Sequence, residues 1–197
     1  MPRQSRTQSR ASTRQHLLNT ARTMLLSHGY TATSLDAIAD EAGYSKGAVY
    51  SNFTNKDELC REVLHNIRAD HAQALISEVS TAPTLDDMLN TFSAWCERTI
   101  GDLEWSALEA EFTVRARQNP HLRTQLARDA SHIRSLIKGI IATARDKYGL
   151  TLDLSADDLA TAFLSLGIGL GLQRAVDPTV RATILTDFVR AHIARSI

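Results

Sequence analysis

Thr33 to Leu59 reads TSLDAIADEAGYSKGAVYSNFTNKDEL, and its spacing is that of two short helices joined by a tight turn. Leu35, Ile38, Ala39 and Ala42 fall on one helical face, with alanines small enough to let a second helix approach closely. Thr33 stands three residues before Asp36, a capping-box-like start for a first helix over Ser34 to Glu41. Gly43 supplies the turn, where a side chain would crowd the crossing. Ser45 then caps a second helix that runs to about Ser51, with Val49 and Phe53 turned inward. Its outward positions, Ser45, Lys46, Gly47 and Ser51, are small or polar and can approach base edges and phosphates. Two helices so joined, the second short enough to lie in a groove, make the helix-turn-helix pattern. Asn55, with Glu58 three residues on, opens a longer helix through Leu59, Val63, Leu64 and Ile67.

Outward from this stretch the periodicity stays helical. Upstream, Leu17, Leu18, Ala21, Met24 and Leu25 form one stripe, stopped near Gly29. Downstream, Pro83, Pro120 and Pro178 punctuate the chain, and helices are expected at about 84–99, 103–117, 121–148, 156–174 and 179–195. Thr84 with Asp87, and Ser155 with Asp158, repeat the capping spacing, and Asp177 before Pro178 reads as an N-cap. The expectation is an all-α protein of about nine helices and no strand: a small helix-turn-helix head and a larger C-terminal helical body.

The 197 residues carry 22 basic and 22 acidic side chains, 43% hydrophobic and 22% charged residues overall, which excludes a disordered, collagen-like or supercharged chain. The zero net charge hides an asymmetry. Residues 1–35 hold Arg3, Arg6, Arg10, Arg14 and Arg22 and no acid, the local footprint a phosphate backbone responds to. Cys60 and Cys96 cannot form a disulfide framework or a four-ligand zinc site and read as small apolar fillers. No signal-peptide core opens the chain, and no run approaches the ~18 apolar residues of a membrane span, so the expected location is cytoplasmic, with no membrane partner.

At these residues the chain resembles the tetracycline-repressor (TetR) family of bacterial transcriptional regulators. The resemblance rests on Ile-Ala-x-x-Ala-Gly at 38–43 and Tyr-Ser-Lys-Gly-Ala-Val-Tyr at 44–50, then on Phe53, Lys56 and Leu59. It departs at Asn52, where the family often carries an aromatic or histidine against a phosphate. The resemblance implies a basic, mostly disordered arm over 1–11, a DNA-binding domain over 12–58 and a ligand-binding and dimerisation domain over 59–197. It also implies a two-fold symmetric double-stranded DNA operator, read by a homodimer that a small hydrophobic or aromatic effector releases. Tyr44, Lys46 and Gly47 are then expected nearest the bases. Thr33, Ser34, Ser45, Tyr50, Asn52 and Lys56 are expected at phosphates, which position without specifying. Phe163, Leu164, Ile168, Ile184, Leu185 and Phe188 are expected at the dimer interface. Phe92, Trp95, Trp105, Leu108 and Phe112 are expected to wall the effector pocket, with the helix from Asn55 as a lever between pocket and DNA.

Two rivals stay open at this point. Gly43-x-Ser45-x-Gly47 has the spacing of a hydrolase elbow, so a small all-α hydrolase using Ser45 is one, although that motif needs a preceding strand. A non-allosteric architectural DNA binder is the other, dominated by counterion release. Gly167, Gly169 and Gly171 imitate a dinucleotide loop, but Leu172 stands where its next glycine would begin and helical sequence precedes them, so close helix packing is expected instead. No catalytic residue, cofactor or metal is expected.

Overall fold

A computed structural model describes residues 6–195. The elements are α1 (Arg6–Ala32), α2 (Leu35–Glu41), α3 (Lys46–Asn52), α4 (Lys56–Ser80), α5 (Leu85–Thr99), α6 (Leu103–Ala116), α7 (Pro120–Tyr148), β1 (Leu150–Leu152), α8 (Ala156–Val176), α9 (Ile184–Ala191) and β2 (Ile193–Arg195). The chain is all-α, as its periodicity predicts, and the serine, asparagine and threonine caps form where the spacing puts them. Asn55 accepts the Glu58 amide, Thr84 that of Asp87 and Ser155 that of Asp158. The cap of α2 is Ser34 rather than Thr33, because the Thr33 hydroxyl is buried and donates to the Gly29 carbonyl at 2.8 Å.

Three other expectations are corrected. Residues 6–11 are the first turns of α1, not a disordered arm, while residues 1–5, with Arg3, lie outside the described residues. The Arg10 guanidinium donates to the Ser51 carbonyl at 2.9 Å and that of Arg14 to the Asn52 carbonyl, tying this segment to the end of α3. The last helix begins at Ile184, not near 179. Asp177 instead accepts the amide and hydroxyl of Thr179 at 3.0 and 2.6 Å, and Glu97 takes the amides of Ala182 and Thr183, so this segment is a loop held to α5. Two three-residue strands also pair antiparallel, Leu152 opposite Ile193, after Gly149 ends α7 in the left-handed region.

The core has two main parts. The first joins Leu17, Ala21 and Leu25 of α1, Ile38 of α2, Val49 of α3 and Leu59 and Val63 of α4 to Leu108 and Phe112 of α6. Head and body therefore share one apolar core. The second gathers Leu75, Phe92, Cys96, Ile100, Leu170, Ala182 and Leu185 around the far end of α4. Burial pushes the Cys96 thiol up to about 12 and the Cys60 thiol higher still, which keeps both uncharged fillers.

Helix α8 is apolar all round, and by length and composition it is the one described helix that could cross a membrane, against the expectation that no run could. In this fold it packs on α6, α7 and α9 and buries Leu159, Ala160, Leu170 and Gly171. Its opposite face stays open, with Ile168 54%, Leu172 45% and Val176 87% exposed.

Candidate nucleic-acid interface and body cavity

Helices α2 and α3 are held as a pair by Ile38, Ala39 and Val49, each fully buried, and by the turn at Gly43, whose φ of 72° lies in the left-handed region. This leaves Ser34, Ser45, Lys46, Gly47 and Tyr50 exposed on the head. Ser45 accepts the Ala48 amide as the N-cap of α3 and follows a helix and turn rather than a strand, so the strained elbow of a hydrolase is not formed. Lys46 pairs with Asp36 at 2.5 Å, and the Tyr50 hydroxyl reaches the same carboxylate at 3.5 Å.

Four more of the expected DNA contacts are turned inward or held by the protein itself. Thr33 is buried. Tyr44 is half-buried, edge-on to His16 at 5.6 Å. Asn52 donates to the Ala48 carbonyl at 2.8 Å. The Lys56 ammonium donates to the carbonyls of Tyr30 and Thr33, each at 2.8 Å, and lies 4.0 Å from the centre of the Tyr30 ring, with burial lowering its pKa. Its first task is to hold the corner between α1 and α2. Arg10, exposed beside the end of α3, is a cation that the string from Thr33 onward could not reveal, since it lies 41 residues from Ser51.

That corner is gripped from the body as well. Gly29 turns the chain with φ 79°, and Glu111 of α6 approaches so closely that a Cβ there would stand 2.8 Å from its Oε2. The Glu111 carboxylate accepts the Tyr30 amide at 2.6 Å, the Thr31 amide at 3.0 Å and the Thr31 hydroxyl at 2.5 Å. Asp57, in the first turn of α4, accepts the Tyr30 hydroxyl and, at 3.1 Å, the Asn119 amide, with Arg115 at 3.4 Å. Burial acts to raise the Glu111 carboxyl, but the hydrogen bonds from Thr31 and Tyr30 outweigh it and leave it below its ordinary 4.5. The folded value lies below the unfolded one, so this stabilisation is complete above the unfolded value and disappears as pH falls through the folded value. Glu111→Gln, which does not titrate, is expected to melt below the parent at neutral pH. The gap should close as acidification takes pH below 4.5 and through the folded value, as thermal melts across pH will show.

The body contains an apolar cavity of about 110 Å³. Leu75 and Val79 of α4, Phe92 of α5, Ile141 and Ala144 of α7, and Phe163 of α8 stand around it. Leu150, Leu152 and Ile193 of the strands, with Phe188 and Val189 of α9, close another side. Of the five expected wall residues, the structure brings only Phe92 to it. Trp95 stacks behind Phe92 at 6.1 Å. Leu108 and Phe112, each 1% exposed, are closed core against the head, and Trp105 packs beside them with His71 edge-on at 4.5 Å. The inner face of α6 is used to hold the head, so it leaves no wall for a pocket.

The six residues expected at a dimer interface divide as well. Leu185 is 1% exposed core, Phe163 and Phe188 face the cavity, and Leu164 is half-buried. Ile168 and Ile184 are exposed, joined by Leu172 and Val176. Gly167 and Gly169 would have nothing within 4 Å of an added Cβ, so neither is needed for packing within the chain.

Residues 17–63 match the family described as bacterial regulatory proteins, tetR family, and residues 85–197 match the BetI-type transcriptional repressor C-terminal family. The chain is 28% identical over 177 residues to the HTH-type nicotine-responsive transcriptional repressor HdnoR of Paenarthrobacter nicotinovorans, covering 84% of this chain and 85% of that one. It is 37% identical over 83 residues to the Transposon Tn10 TetC protein of Escherichia coli, covering 42% of this chain and 39% of that one. The match thus spans about two fifths of that relative's length. In fold it is similar to a protein from Saccharomonospora viridis solved in complex with choline, with TM-score 0.70, 21% identity and coverage of 94% and 100% of the two chains.

Proposed function

Because the chain belongs to the TetR family of bacterial transcriptional regulators, we propose that it is a homodimeric, operator-binding repressor released by a small, uncharged, hydrophobic effector in the body cavity. The observation that carries the effector half is the cavity wall, whose side chains are all apolar. A charge placed there would lose its hydration and find no counter-charge or hydrogen-bonding side chain in the wall, at a cost of several kcal/mol that only the phenylalanine ring faces could offset for a cation. The Saccharomonospora viridis protein holds choline, a cation; the cavity of this chain instead suits a ligand without charge. Apolar cavities of about 150 Å³ take up a benzene ring, so a single ring or short branched chain is the size that enters.

Helix α4 supplies the route to DNA. Leu75 and Val79 touch the cavity, while Lys56 and Asp57 hold the corner of the head. At 1.5 Å per residue these ends lie about 27–35 Å apart on one rigid rod. The exposed α8 face fits a second copy, and a dimer that reads two successive major grooves requires its half-sites about one helical turn apart. Such a regulator works in the cytoplasm, where bacterial DNA is.

Tryptophan fluorescence tests the cavity. With Trp105→Phe in place, Trp95 alone reports, through its stack on Phe92. Alkylbenzenes should change its emission and release DNA, whereas choline should do neither. Release of DNA by an alkylbenzene with Trp95 spectrally silent would place the effector elsewhere. No response of DNA binding to any apolar probe would favour the architectural reading.

A further inference from the structure

Asp36 is the first acid of the chain, after five arginines, and its carboxylate stands beside Lys46 on the head, partly open to solvent. It occupies the first turn of α2 behind the Ser34 cap, and its Oδ2 meets the Lys46 ammonium of α3 at 2.5 Å. Tyr50, one turn after Lys46, directs its hydroxyl at the other oxygen of the same carboxylate, at 3.5 Å. Asp36 therefore ties together two exposed side chains of α3. Both partners remain open to solvent, at 61% for Lys46 and 42% for Asp36, so the pair is cheap to exchange.

We propose that Asp36 is a specificity-determining residue: it holds Lys46 in an ion pair on unrelated DNA and yields it only where the base sequence offers the lysine a better acceptor. The inference rests on the operator-binding reading. Its physical basis is that phosphates are the same in every sequence, and an unpaired lysine is attracted to all of them. A carboxylate beside the lysine cancels that attraction and adds repulsion of its own. A guanine edge, with O6 and N7 as acceptors in the major groove, can replace the carboxylate as the partner of Lys46. A phosphate at the wrong register gains nothing by the exchange. The lysine thus contributes to the difference between right and wrong sites more than to binding in general, as discrimination requires. Sequence pattern alone assigns Asp36 only to the start of α2, where an acid is favourable for the helix dipole.

The test compares the full-length protein with Asp36→Asn and Asp36→Glu on a duplex pool randomised over two half-sites one helical turn apart. Asp36→Asn is expected to bind the unselected pool about threefold more tightly, to steepen its salt dependence by about one unit, and to enrich a less defined sequence. Asp36→Glu, which keeps the charge, should restore the parent's selectivity. If Asp36→Asn leaves pool affinity and salt slope unchanged, the proposal is overturned. It is equally overturned if Asp36→Asn melts lower and loses pool and selected-site affinity in parallel, since Asp36 would then serve only helix α2. If the parent itself enriches no sequence, the operator-binding reading fails first, and this inference with it.

Discussion

A chain carrying Ile168→Asp and Leu172→Asp is expected to sediment as a monomer at micromolar concentration and to lose ~10²–10⁴-fold in affinity for a two-fold symmetric site. The two side chains stand one turn apart on α8, roughly half exposed in the isolated chain. Fully burying one large aliphatic side chain contributes about 1.5–3 kcal/mol, and in a two-fold dimer each substitution counts twice. Four such side chains, already half-buried in their own protomers, contribute about 3–6 kcal/mol across the interface, and desolvating four carboxylates in their place costs several kcal/mol more, together more than the ~8 kcal/mol that holds a micromolar dimer. The fold of the chain should survive, because neither side chain is enclosed by its own protomer, and melting with parental cooperativity will check this. Leu185→Asp is the contrast. Leu185 was an expected interface residue, but at 1% exposure its replacement should unfold the second core rather than separate two intact protomers. A double variant that stays dimeric would move the interface away from α8.

The difference between Leu185 and Ile168 also shows what the sequence could carry. The head was legible in detail because its determinants are local: the Ile38–Ala39–Ala42 face, the Gly43 turn and the capping serines lie within a few residues of what they organise. Helix boundaries in the body as far as α8 followed from prolines and capping pairs for the same reason, whereas the Asp177–Pro178 pair marks a loop and not the start of α9. By contrast, α8 is apolar on every side, and a pattern without polarity cannot say which side meets its own chain. The aromatics Trp105 and Phe112 lie at helical spacing, which marks a buried face but not whether that face closes on a head or on a cavity. Glu111 carried no signal in the sequence, because its partners Tyr30 and Thr31 lie about 80 residues away. The short strands were missed because three residues of β1 offer almost no period, and their partner lies beyond α8 and α9. Lys56 was assigned to phosphate by its place after the reading helix, while its actual acceptors are two backbone carbonyls, which no side-chain pattern records.

Ala144→Phe is expected to give a repressor that stays on DNA whatever apolar ligand is offered. Ala144 projects from α7 into the cavity, with Leu75 and Val79 of α4 among the other walls. The vacant volume is about 110 Å³, of the order a single ring occupies, so the new side chain can take the space of the effector without moving α4. Filling an apolar cavity in this way commonly adds about 0.5–2 kcal/mol of stability, so a raised melting temperature is expected as well. An effector that binds the released form 100-fold more tightly shifts the equilibrium by up to about 2.7 kcal/mol, and the variant should lose all of this response. Dimerisation and ligand-free DNA affinity should match the parent, because α4 keeps its position and the Lys56, Asp57 and Glu111 grip on the Tyr30 corner is untouched. DNA binding titrated with an alkylbenzene, for parent and variant side by side, measures the effect. An unchanged response in the variant would remove the cavity from the mechanism. Release of DNA without ligand would mean instead that a filled cavity already displaces α4, so that the ring acts as a built-in effector and the position of α4 depends on occupied volume rather than on ligand chemistry.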